Sequence, residues 1–180
     1  RSRPCNNMHL PSHNAEFRLP VLQQFIKQHP LGILTTAIRN SSLPFLQTSH
    51  IPWVIDSSEE SGTQFGRLRG HIARQNPQAK AITEFVHESP SQNVILEETV
   101  LVLFNAPTHH YVTPKFYKET KPASGKVVPT WDYEAVQVYG TARVYTDSHS
   151  EDFSSFITKQ IADLSEHAES SVMGYGVGNK

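Results

Sequence analysis

The sequence predicts an α+β domain, with five or six antiparallel strands and three peripheral helices. Three observations carry that prediction. Residues 135–145 alternate with period two: Val136, Val138, Gly140, Ala142 and Val144 fall on one face and Gln137, Tyr139, Thr141, Arg143 and Tyr145 on the other. That is the pattern of a half-buried strand. Residues 100–104 form an unbroken apolar run, as in a strand buried on both faces. The strands do not alternate regularly with helices, which excludes a doubly wound parallel sheet. A small closed antiparallel barrel would remove the edges that such a sheet exposes.

Taken in order, residues 19–29 read as a helix, with Leu22, Phe25 and Ile26 at helical spacing and Pro30 as its stop. Residues 32–38 are apolar and β-branched, a strand, and Asn40-Ser41-Ser42 is a turn. Residues 43–55 are strand-like but carry Pro44 and Pro52, so this strand should lie at an edge or bend. Residues 56–62 are polar and read as a loop, and 66–72 as the next strand. Asn76-Pro77 opens a helix, with Asn as N-cap and Pro at the first helical position. That helix should run to about His87 and bury Ala81, Ile82, Phe85 and Val86. Residues 110–113 read as a short separate strand, and 114–126 as a basic loop with Lys115, Lys118, Lys121 and Lys126. Residues 150–167 form the last helix, with Phe153, Phe156, Ile157, Ile161 and Leu164 as its stripe.

The composition bounds the function. A chain of 180 residues makes one domain. Sixteen basic against seventeen acidic residues give net charge −1, which excludes a broad basic nucleic-acid surface. No apolar run is long enough for a membrane span. Met8 reads as the natural start, with residues 1–7 upstream of the domain, 8–170 as the domain and 171–180 as a glycine-rich tail. No secretory signal follows Met8, and Cys5 is the single cysteine, so a reducing, cytoplasmic setting is expected, with the nucleus as the eukaryotic variant. Dinucleotide, P-loop, zincin and nucleophile-elbow motifs are absent, and no residue reads as a nucleophile or general base.

Four clusters could carry chemistry. In the run 68–77, a strand leads into a helix start carrying Arg69, His71, Arg74 and Asn76, a composition suited to an anion. The alternative is solvated arginines and a satisfied strand histidine. Thr48-Ser49-His50-Ile51-Pro52 could hydrogen-bond a flat heterocycle, or could be an edge bulge. The run 125–133 offers Lys126, Thr130 and Trp131 as cation, hydroxyl and indole, with core packing as the alternative for the aromatics. His109-His110 suggests metal or haem, but neighbours on a strand face opposite ways, so the pair cannot bind one ion there.

Taken together and in this order, these segments resemble one family. They are His29-Pro30-Leu31-Gly32, His50-Ile51-Pro52, the run 68–77, Ala106-Pro107 with the run 111–117, the run 125–133, and Val138-Tyr139-Gly140. The family is that of the PaiB-type transcriptional regulators, also described as FMN-binding with an antiparallel split β-barrel and peripheral helices. The resemblance implies that His50, Ile51 and Pro52 line a flavin ring. It implies that His71, Ile72, Ala73, Arg74 and Asn76 approach the phosphate, and that Lys126, Thr130 and Trp131 close the pocket. It further implies a homodimer with FMN between subunits and a DNA-linked role, for which the lysine loop is the candidate patch. A flavin- or haem-dependent oxidoreductase is the competing reading, by analogy of fold alone. The segment 39–48 is longer than the family's usual turn, and the family's lysine-rich C-terminal motif has no counterpart before Lys180.

Overall fold

The computed structural model describes residues 10–40, 42–88, 95–119, 125 and 128–176. Their strands form one five-stranded antiparallel sheet flanked by helices, the α+β class expected. The strands are β1 (Leu31–Ala37), β2 (Leu46–Asp56), β3 (Arg67–Gly70), β4 (Val100–Val112) and β5 (Thr130–Gly140), in the order β3-β2-β1-β4-β5. The sheet is consistent with a split barrel, but it is not closed. Among the described residues, β3 and β5 are two separate edges, where a closed barrel was expected.

The helices are α1 (Leu19–Gln28), a one-turn α2 (Ser58–Ser61) inside the expected polar loop, α3 (Pro77–Glu88) and α4 (Glu151–Glu166). Helix α4 starts at Ser150, whose hydroxyl accepts from the Phe153 amide, and runs on into a π-helical segment, His167–Val172. None of the helices described is long and apolar enough to cross a membrane.

Strand β2 resolves the alternative posed by its prolines. It lies between β3 and β1 in the strand order, yet among the described residues its first half pairs only with β1 and keeps a free edge, and it changes partner at Pro52. Its first half, up to Pro52, pairs with β1; from Trp53 to Asp56 it pairs with β3. A residue without an N–H fits a point where the ladder changes hands.

Strand β4 is one strand of 13 residues, where the sequence suggested two separate strands. A register shift between Asn105 and His109 joins the halves and takes in Pro107, which cannot donate to a ladder. Strand β5 begins at Thr130, earlier than expected, and ends at Gly140. Beyond it, among the described residues, an isolated bridge joins Ile95 and Arg143.

One face of the sheet is the core. Leu34, Ile51, Val102 and Phe104 pack there against Ile26 of α1 and Ala81 and Ile82 of α3. Phe104 is fully buried. Gln78, 1% exposed, locks α3 down: its Nε2 lies 3.2 Å from the Leu34 carbonyl, 2.9 Å from the Thr36 hydroxyl and 3.1 Å from the Gln47 carbonyl. Gly32 is required at its position, because an added Cβ would fall 2.6 Å from the Phe104 ring and 2.7 Å from the Trp53 ring.

Candidate functional site

The turn after β3 runs along the free edge of β2. Gly70 is opposite Trp53, so antiparallel continuation carries residues 71–76 past Pro52, Ile51, His50 and Ser49. Asn76 ties the far end there: its Nδ2 donates to the Ser49 hydroxyl at 3.0 Å. Asn76 also caps α3 as the sequence predicts, with its Oδ1 accepting from the Gln78 amide at 2.8 Å. Both ends of its carboxamide are thus used in holding the turn. Within the turn the Asn76 amide donates to the Ala73 carbonyl at 3.0 Å.

Two groups of this turn are left for a ligand. Arg74 is exposed, and among the described residues its one hydrogen bond is a 3.4 Å contact to the Thr146 carbonyl. His71 is half-buried, and its Nδ1 is buried with no hydrogen-bond partner among the described residues. A buried ring nitrogen without a partner is costly unless something binds it. A guanidinium in the same turn is a group that suits a phosphate, so the composition of the turn is compatible with an anionic group such as the phosphate of FMN.

The strand leading into this turn is fixed by a buried polar cluster. Arg69 is 6% exposed. Its Nε and Nη2 grip Asp56 at 2.7–3.0 Å. Its Nη1 donates to Gln160 of α4 at 3.1 Å, and Nη2 also reaches Asp163 of α4 at 2.5 Å. Gln160, with no exposed surface, donates back to the Arg69 carbonyl at 3.2 Å. Burial raises the Asp56 pKa, but the bonds from Arg69 and Arg67 outweigh it and bring it below its ordinary value. The Asp163 carboxyl is lowered by its bond to Lys159 and, less strongly, by Arg69. The Arg69 guanidinium is raised by its bond to Asp56.

The sheet face opposite the core is open around β1. Register places Leu31 with Pro52, Ile33 with His50 and Thr35 with Thr48, continuing to Leu103 and Leu101 on β4 and Gln137 and Tyr139 on β5. His50, Leu31, Leu46 and Tyr139 are exposed there. Farther out, β4 and β5 extend as a two-stranded arm. Trp131 pairs with Tyr111 at a 6.0 Å ring separation and lies 5.5 Å from the His109 ring. Tyr133 is paired with His109. Trp131 and Tyr133 are 58% and 65% exposed, high values for large aromatic rings.

The predicted residues therefore fall into groups. His50 and Pro52 lie on the open face, and Ile51, buried at 6%, turns its side chain into the core. His71, Ile72, Ala73, Arg74 and Asn76 lie beside them in the turn. Thr130 and Trp131 do not. His50 is level with Gln137, and Trp131 is six positions farther along β5. Strand rise and spacing put about 25 Å between His50 and Trp131. Lys126 and Lys121 lie outside the described residues, and Lys115 and Lys118 are exposed beside a 3-10 turn, Pro114–Phe116. His109 and His110 take opposite faces, across from Tyr133 and Asp132, and the described residues hold no group of three metal-ligating side chains.

Sequence reasoning missed Trp53, whose ring lies against Gly70: a Cβ added at Gly70 would fall 2.9 Å from it. The indole Nε1 is buried without a partner among the described residues. The signal was a tryptophan next to the strand-breaking Pro52, with glycines on both neighbouring strands. Tyr111 as a ring partner of Trp131 was also missed, because their pairing depends on the register shift in β4.

Comparison with known proteins matches residues 8–175 to the family described as "Putative FMN-binding domain". An uncharacterized Aspergillus fumigatus protein is 54% identical over 183 residues, covering 96% of this chain and 70% of its own length. An uncharacterized Emericella nidulans protein is 53% identical over 173 residues, covering 93% of this chain and 69% of its own. The Bacillus subtilis protein named "Protease synthase and sporulation protein PAI 2" is 24% identical over 135 residues, covering 75% of this chain and 52% of its own.

Proposed function

The chain belongs to that FMN-binding domain family, and on this premise we propose that it binds FMN on the open sheet face, between two copies of itself. The phosphate is held at the 71–76 turn by Arg74 and His71. The ring lies over His50 and Pro52, and the aromatic arm around Trp131 comes from the partner copy. The observation that carries this is that one short turn holds both a buried His71 Nδ1 without a partner among the described residues and an exposed Arg74, beside an open, half-apolar strand face. The separation of about 25 Å between His50 and Trp131 supports the two-copy arrangement, because one tricyclic ring cannot touch both within one chain. Two copies related by a two-fold would bring each arm to the other's face.

When bound, FMN supplies the redox chemistry and the visible absorbance. The protein's part is to position and to exclude water. Arg74 neutralises the phosphate, the α3 N-terminus adds a weak positive field, and the apolar rows at Leu31, Ile33, Leu101 and Leu103 desolvate the ring.

The test is titration of the purified chain with FMN, read by quenching of flavin fluorescence, beside sedimentation of the same samples. The expected result is saturable binding by a dimer, with Arg74→Ala weakening it by about 2 kcal/mol, the worth of a charge-assisted bond. Full affinity in that variant would remove Arg74 from the site. A chain that takes up no flavin as a dimer would end the proposal.

A further inference from the structure

The turn assigned to the phosphate is braced by a helix outside the proposed pocket. Gln160 bonds Arg69 twice, at its side chain and at its carbonyl, and Asp163 bonds its guanidinium. Arg69 is followed by Gly70, whose backbone lies so close to the Trp53 ring that a Cβ would clash. There is thus no slack between the anchored residue and the first residue of the turn. At the other end the turn is pinned by Asn76 to Ser49. A short segment clamped at both ends has few conformations left, so moving either clamp changes the shape between them.

Resting on the flavin reading above, we propose that α4 is a positioning element for the phosphate turn: Gln160 and Asp163, acting through Arg69, set the geometry in which His71 and Arg74 meet the ligand. Neither α4 residue touches the ligand. The coupling is reciprocal by linkage, so filling the turn tightens α4 on the sheet, and loosening α4 weakens binding at the turn. The segment between Ala142 and Ser150 is drawn into the same unit, because Arg74 reaches the Thr146 carbonyl.

The experiment uses the whole chain, well below its melting temperature. It compares the wild type with Gln160→Leu, Asp163→Asn and Lys159→Ala. Lys159 is exposed and bonds the same Asp163 oxygen as Arg69, Oδ2, at 2.7 Å, but among the described residues it is not bonded to Arg69; removing it leaves that oxygen to Arg69, so it serves as the control. Two quantities are read: amide exchange at residues 71–76, above all the Asn76 amide bonded to Ala73, relative to exchange in β4, and the dissociation constant for FMN. In Gln160→Leu and Asp163→Asn the turn amides should exchange faster while β4 stays protected. In Gln160→Leu, FMN should bind about ten-fold more weakly. Lys159→Ala should change neither.

If the two α4 variants lower only the melting temperature and leave turn exchange unmoved, α4 is merely structural and the proposal is overturned. If Gln160→Leu does not fold, Asp163→Asn decides alone, since it keeps the shape of the side chain. If the wild type takes up no FMN, turn exchange still decides whether α4 positions the turn, and only the flavin reading falls.

Discussion

The two ends of the sheet are finished in opposite ways. At the β2–β3 end a short edge strand is stitched to α4 by side chains, with Arg69, Asp56 and Gln160 all buried. At the β4–β5 end two long strands pair with each other, and β5 stays exposed from Thr130 to Ala135. The first end spends polar groups inside the fold, where each depends on the others. The second presents Tyr111, Trp131 and Tyr133 to solvent. Stability should therefore reside in the stitched end, and, on the proposed two-copy arrangement, recognition of the second copy in the arm.

Breaking the stitched end should have the largest effect. Asp56→Ala leaves Arg69 buried with its main counter-charge gone, and should cost about 3–5 kcal/mol in urea unfolding. A loss as small as that of a surface substitution would break the contrast between the ends.

Acid should act on the same end and more gently. Asp56 and Asp163 both have folded pKa values below the ordinary 3.8. Below 3.8 the unfolded chain takes up protons that the folded one still refuses, so stability rises with pH in that window. Their contribution is complete above 3.8 and is lost as the pH falls through the folded values. Urea midpoints at a series of pH values should fall off below that point in the wild type, and less steeply in Asp56→Asn.

The arm should give the smallest effect on folding. Trp131→Ala with Tyr133→Ala should shift the unfolding free energy of dilute, monomeric protein by no more than about 0.5 kcal/mol. The same pair should reduce the dimer fraction in sedimentation, which sharpens the contrast. A folding cost equal to that of Asp56→Ala would mean that the arm is packed rather than presented.

Much of this was legible locally. Asn76-Pro77 marks the start of α3, and the capping bond is there. Pro52 announces trouble in β2, and the partner change falls on it. The interior of β5 reads directly from its alternation. What was not legible depends on long-range partners. Arg69 looks like a surface charge until Gln160 and Asp163, more than ninety residues away, fold onto it. Residues 110–113 look like a separate strand, because no local signal reveals a ladder that resumes after Pro107. The barrel was expected to close because exposed edges are costly in general, whereas among the described residues this sheet ends in two edges. Family resemblance suggested the proposed ligand; spacing along the chain could not show that Trp131 and His50 stand so far apart.

The irregularity in β4 has one more consequence. Between Asn105 and His109 the chain advances four positions while β5, from Ala135 to Tyr133, advances two. The surplus is even. Side-chain direction alternates at every step, so an even surplus returns the strand to its original phase. His109 and Tyr111 thus share a side with Asn105, Leu103 and Leu101, and the ring ladder lies flush with the surface that continues to His50. Removing one residue from this stretch would turn the rings of His109 and Tyr111 to the reverse side, whereas removing two would leave them facing as they do.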